Sequence, residues 1–244
     1  ASNGMAAGNT PTECRAQAVA EIIERYVKNR IITEGICLPD VPQEVLNRYP
    51  KIQKDIEELG EHGFPILVKD ASLGGQFPVI CVLLINPEDG GCYASFGASC
   101  RFEVAIERTV TELLQGRGLD QLNIFECPSH DIDSVSDNLN IESHFINSVG
   151  LLSWKMFGDH SDSAFNDWDF QGSTADEYEH LIAIVHANNF EAYCAEYSHC
   201  GIYTCRIIVP GMSDIYPVND LIWGNKVTGA SLRGQLLTLN TLSI

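Results

Sequence analysis

The chain reads as an α+β protein, on three observations. Apolar residues recur at helical spacing over residues 11–32, 51–63, 101–117 and 177–189. Two pairs of apolar runs bounded by turn residues, 78–85 with 92–96 and 190–197 with 203–211, read as strand pairs. Strands and helices do not alternate regularly, which argues against a βαβ sheet.

Residues 1–9 are small and glycine-containing and read as a loop. In TPTECRAQAVAEIIER (10–25), Thr10 suits an N-cap, Pro11 the first helical position, and Glu13 the third position of a capping box. Ala16, Val19, Ala20, Ile23 and Val27 then mark the buried face. LPDVPQEVLNRYP (38–50) places three prolines around a short helical turn, and KIQKDIEELGEHG (51–63) is an amphipathic helix ending in glycine. PVICVLLI (78–85) is continuously apolar, as a strand covered on both faces would be. NPEDGG turns the chain into CYASF (92–96). RFEVAIERTVTELLQGR (101–117) is a second strong helix, closed by Gly116 or Gly118. Residues 126–176, rich in Asp, Ser, Asn and His, read as a solvated, partly flexible connection, since FGDHSDSAFNDWDFQG lacks EF-hand spacing.

The bulk composition excludes several classes. With 45% hydrophobic and 20% charged residues in 244, the chain is long enough to bury a large core. A net charge of −18 argues against a general DNA or RNA binder. No apolar run is long enough to span a membrane, and ASNGMAAGNT does not resemble a signal peptide. Nine cysteines at irregular spacing, without CxxC, read as reduced thiols, which with the missing signal peptide predicts a cytoplasmic protein. Cys194, His199, Cys200 and Cys205 fit no zinc template and read as strand positions around a turn.

The candidate chemistry lies on the first helix. A turn of roughly 100° per residue places Glu13, Gln17, Glu21, Glu24 and Arg25 in one sector of about 120°, beside the buried face. A solvated flank is one explanation of this stripe. The other is a site where cations offset the mutual repulsion of the acids, Mg2+ being a hard ion that takes carboxylate oxygens. On the helix at 101–117, Arg108 and Glu112 share a face, as a simple i,i+4 ion pair or as part of the same site. Both helices follow glycine-containing loops, NGMAAGNT and SFGAS, which suit phosphate at a helix start. There is no GxxxxGK[ST], GxSxG or HExxH. Acids with arginines point to a nucleotide whose phosphates are neutralised by metal and guanidinium together.

SNGMAAGNTPTECRAQAVAEIIERYVKNR, FPILVKDASLGGQFPVICVLLINP, ASFGASCRFEVAIERTVTELLQGRG and CRIIVPGMSDIYP, in this order, resemble the YcaO family. The likeness covers almost the whole chain, is weakest between about residues 155 and 200, and is closest to the stand-alone type. Its signatures are E-x-x-E-R at 21–25 and E-R-x-x-x-E at 107–112. The resemblance implies a YcaO-type fold that binds ATP and Mg2+. By position, it assigns Glu13, Glu21, Glu24 and Glu112 to the metal and Asn9, Arg25 and Arg108 to the nucleotide. Ala6 stands where the similar stand-alone relative has serine, so one contact is lost or passes to the backbone. Gln115 and Arg117 lie in the same motif without an assigned role, and no general base stands out.

Family members are longer, so the resemblance implies that residues 1–244 are the C-terminal portion of a YcaO domain. An N-terminal half, with further metal and nucleotide ligands, and a C-terminal extension would then be absent. For the stand-alone type, the implied role is accessory to aspartate methylthiolation of a small-subunit ribosomal protein. Its implied partners are a radical-SAM methylthiotransferase, that ribosomal protein, or both, and a homodimer is a further arrangement open to it. Amide activation of the cyclodehydratase kind, a nucleotide- or partner-binding module without turnover, and an apolar-ligand carrier are the rival functions.

Overall fold

The computed structural model describes residues 3–113, 121, 124–146 and 148–214. The chain through Ser213 forms one compact unit. Residues 215–244, part of the expected domain, lie outside the described residues, as do Gln115 and Arg117.

Among the described residues, six strands and seven α-helices organise this unit. Strands β1 (Met5–Gly8), β6 (Ile202–Ile208) and β5 (Tyr193–His199) form one antiparallel sheet in that order. Strands β2 (Ile66–Asp70), β3 (Val79–Ile85) and β4 (Cys92–Ala98) form a second. The helices are α1 (Pro11–Glu34), α2 (Gln43–Leu46), α3 (Pro50–Glu61), α4 (Phe102–Leu113), α5 (Ile132–Val135), α6 (Asn138–Ile146) and α7 (Thr174–Ala187).

Helix α1 is the spine of the fold. It starts at Thr10, whose side chain accepts the Glu13 N–H, and ends at Gly35 with φ +61°, whose N–H returns to Ile31 and Ile32. Glu13 completes the cap one residue earlier than the expected capping box, because its Oε2 accepts from the N–H of Asn9. Ten of the 24 helical residues are buried, including Cys14, Ala18, Ile22 and Ile31 beyond the face expected from periodicity. The wider burial follows from packing: α1 lies against both sheets and α7.

The apolar run of β3 is covered on both faces. Val79, Cys81 and Leu83 join the core around α1, while Ile80, Val82 and Leu84 join a second core with Phe102, Ile106 and Val110 of α4. At Gly97 the helix α4 rides so close to β4 that an added Cβ would sit 2.3 Å from Thr109 Oγ1 and 2.7 Å from the Ala105 carbonyl.

Three expectations are corrected here. Residues 1–9 hold a strand, with Ala6 opposite Cys205 and Gly8 opposite Tyr203. Ile66–Asp70 is an unforeseen strand that completes the second sheet. The 126–176 segment is no free connection: it carries α5, α6 and a 3-10 turn at Trp154–Phe157. It is also tied down by polar side chains: Asp162 accepts from the Cys37 N–H, Asp167 pairs with Arg48, and the Trp168 indole donates to the Ser99 carbonyl. Short elements held by such bonds leave little periodicity to read.

The nine cysteines are free thiols, buried except for Cys127, Cys194 and Cys200. Cys194 and Cys205 lie on neighbouring strands of the β5–β6 hairpin, with Cys200 in its turn. Among the described residues, no helix is long and apolar enough to cross a membrane.

Candidate functional site

Strands β1 and β4 are the edges of their respective sheets, and each contributes a wall to a cavity of about 720 Å3. Met5, Ala6 and Ala7 come from β1 and residues 93–96 from β4. The α1 stripe supplies Gln17, Glu21, Glu24 and Arg25, and α4 supplies Arg108 and Glu112. The end of α6 adds His144 and Phe145. The structure thus brings five of the seven residues singled out from sequence into one space.

Glu13 lies elsewhere. It lines an adjoining cavity of about 360 Å3 that shares Gln17 and Arg108 with the first. Asn9 forms part of neither wall; its N–H and side-chain amide both donate to Glu13.

The carboxylates of the larger cavity are held by fixed donors. Glu21 Oε1 lies 3.0 Å from Arg25, and the Gly4 N–H donates to the same carboxylate. Glu24 Oε2 accepts the Ala98 N–H at 3.3 Å, a donor of the β4 strand end. Burial pushes the Glu24 carboxyl up to about 8, and the nearby Glu112 pushes in the same direction against Lys28 and Arg25. Burial also raises Glu21 and Glu112, opposed by Arg25 at Glu21 and by Lys28, Arg25 and Arg108 at Glu112. All three groups therefore pay for ionising in this space, and an additional cation would relieve that cost.

The cationic side is only partly used. The Arg108 guanidinium makes no hydrogen bond or salt bridge among the described residues, so the simple i,i+4 pair with Glu112 is not formed. Arg25 packs over the Phe145 ring at 4.6 Å, and its Nε is buried without a partner. Lys28 donates to the His144 carbonyl at 3.0 Å, and burial pulls its ammonium down to about 8 despite Glu24.

Lys28, Ser95, His144 and Phe145 were not anticipated. Lys28 had a signal, because the stripe followed to Arg25 continues one turn from Glu24 to Lys28. The other three come from an edge strand and a short helix, and only the fold brings them here. Ser95 Oγ and His144 Nδ1 are also buried without partners.

The donor set suits a magnesium nucleotide. Mg2+ takes oxygen ligands and retains waters and phosphates, so it needs no closed protein cage. Among the described residues, no three carboxylate, imidazole or thiol groups form such a cage. Glu21, Glu24 and Glu112 line the same space as Arg25 and Arg108 without forming a three-ligand metal cluster, so any metal there would take only some of these carboxylates and complete its shell with water or phosphate oxygens.

The family model described as YcaO cyclodehydratase, ATP- and Mg2+-binding, matches residues 1–213. The Escherichia coli protein named ribosomal protein S12 methylthiotransferase accessory factor YcaO is 55% identical over 238 residues, covering 98% of this chain and 41% of that protein. The chain thus spans about two fifths of the length of the curated relatives it matches. A solved heterocyclase in complex with substrate and cofactor superposes with a TM-score of 0.62 at 20% identity, over 87% of this chain and 28% of the other. YcaO from Methanopyrus kandleri, bound with AMPPCP and Mg2+, gives 0.56 at 18% identity, over 87% and 55%. These two structures share the fold.

Proposed function

The chain belongs to the YcaO family, and from that premise we propose that its larger cavity binds ATP with Mg2+ and presents the phosphates for transfer. Glu21, Glu24 and Glu112 hold the metal, with Glu13 completing the acidic set from the adjoining cavity. Arg25 and Arg108 offset phosphate charge, and Asn9 orders Glu13 at the rim. ATP supplies an activated phosphoryl group; the protein supplies placement and fixed charge.

The observation that carries this reading is Arg108: a half-buried guanidinium without a hydrogen bond or salt bridge, in the same cavity as three carboxylates that resist ionisation. An anion and a divalent cation together satisfy both halves.

The name of the Escherichia coli relative supports an accessory role in methylthiolation of a small-subunit ribosomal protein, with the methylthiotransferase as partner. The family description favours a second reading, amide activation of the cyclodehydratase kind. Both use the same nucleotide site.

Calorimetry with AMPPCP and Mg2+ tests the site. Arg108→Ala removes a charge-assisted contact worth about 1.5–3 kcal/mol, so affinity falls roughly 10- to 100-fold. An unchanged affinity would remove Arg108 from the site.

A further inference from the structure

Lys28 extends the α1 stripe one turn beyond Glu24 and lines the larger cavity. We propose that Lys28 is a third cation for the nucleotide, donating to the phosphates that the metal bridges. This rests on the larger cavity being the nucleotide site.

Helix α6 fixes where the ammonium sits. Lys28 donates to the His144 carbonyl at 3.0 Å, in the last turn of α6, whose final carbonyls have no partner within the helix. That bond uses one of the three N–H donors of an ammonium. Lys28 forms no salt bridge among the described residues, so no carboxylate takes the other two.

The charges around it favour phosphate as the missing acceptor. Glu24 and Glu112 attract the ammonium from a distance, while Arg25 repels it. Glu21, Glu24 and Glu112 balance Arg25, Lys28 and Arg108 in formal charge across the cavity. Mg2+ entering among the acids takes up their charge and leaves Lys28 unopposed. The phosphates that accompany the metal then supply oxygens to the two spare donors. Metal ions bridge the β- and γ-phosphates of a nucleotide, so a cation beside the acids meets those phosphates rather than the α-phosphate. Arg108 stands where the larger cavity meets the smaller one, whereas Lys28 lines only the larger. The two cations therefore reach the phosphates from different places.

The test combines calorimetry and phosphorus NMR of AMPPCP with Mg2+ on the parent, Lys28→Met and Lys28→Arg. Lys28→Met should lower affinity about 10-fold or more, the loss of one charge-assisted contact. At saturation it should move the β- or γ-phosphorus signal and leave the α signal in place. Lys28→Arg, which keeps the charge and a donor for the His144 carbonyl, should recover most of the affinity. A measurement on the parent needs no stable Lys28→Met: with 13C-labelled lysine, AMPPCP and Mg2+ should move the Lys28 side-chain signal, identified by its loss in Lys28→Arg, and AMP with Mg2+ should not. Unchanged affinity in Lys28→Met, or three phosphorus signals that move together, would reduce Lys28 to a tie between α1 and α6. Tighter binding would make it a competitor of the metal, and a Lys28 signal that ignores AMPPCP would remove it from the phosphates. Each of these overturns the proposal and leaves the nucleotide site standing. Failure of the parent protein to bind AMPPCP with Mg2+ overturns the nucleotide reading itself.

Discussion

His144 stays neutral because burial lowers its pKa to about 4, aided by the Lys28 charge, while the Leu151 carbonyl pulls the other way. In the unfolded chain an imidazole titrates near 6.5. Between these values the unfolded state binds the extra proton, so stability is lost as the pH falls from about 6.5 to about 4. The full shift corresponds to about 3 kcal/mol. His144→Gln, measured by urea unfolding across that window, should flatten the acid-side decline relative to the parent. Parallel curves for the two proteins would show that His144 carries no such penalty. At this scale the sequence was informative where helical geometry alone places a side chain, as with Glu21, Glu24 and Arg25. It was silent on His144 and Ser95, whose positions depend on packing between distant segments.

Elements place the charges that residues carry. Arg108 and Glu112 reach the cavity because α4 lies tightly on β4, so tightly at Gly97 that no side chain fits there. Gly97→Ala puts a methyl group into the Thr109 hydroxyl and the Ala105 carbonyl. The expected cost is about 1–3 kcal/mol of stability, with weaker nucleotide binding as α4 shifts outward. Adding Thr109→Ala removes the nearer obstruction, so the double variant should recover part of both losses. Thermal unfolding and AMPPCP calorimetry on the pair check this; a fully stable Gly97→Ala would show that α4 can yield without consequence. Helices α1 and α4 were legible because each repeats apolar residues over three turns or more. Strand β1 has only four residues, three of them alanine or glycine, β2 ends in the buried Lys69 and Asp70, and α5 is one turn long, so none left a pattern to detect. Their capping residues are readable afterwards: Asp131 caps α5, and Ser173 with Asp176 forms a capping box on α7.

At the scale of the whole molecule, the cavity exists because two three-stranded sheets bring edge strands to one central helix. An edge strand ordinarily leaves backbone groups unpaired. Here one such group, the Ala98 N–H, donates to Glu24, so the sheet edge helps hold a charge of the site. The α+β class and the two strong helices could be read from periodicity. The meeting of α1 and α4 across β4 could not, since it depends on long-range packing. The central claim is that carboxylates from these two helices act on the same bound ions. A double-mutant cycle of Glu24→Gln and Glu112→Gln, read as AMPPCP affinity in Mg2+, tests it most directly. Each substitution is expected to weaken binding, and the second to cost much less once the first is present, with a coupling of about 0.5–3 kcal/mol. Two independent, additive losses, or no loss from either substitution, would contradict it.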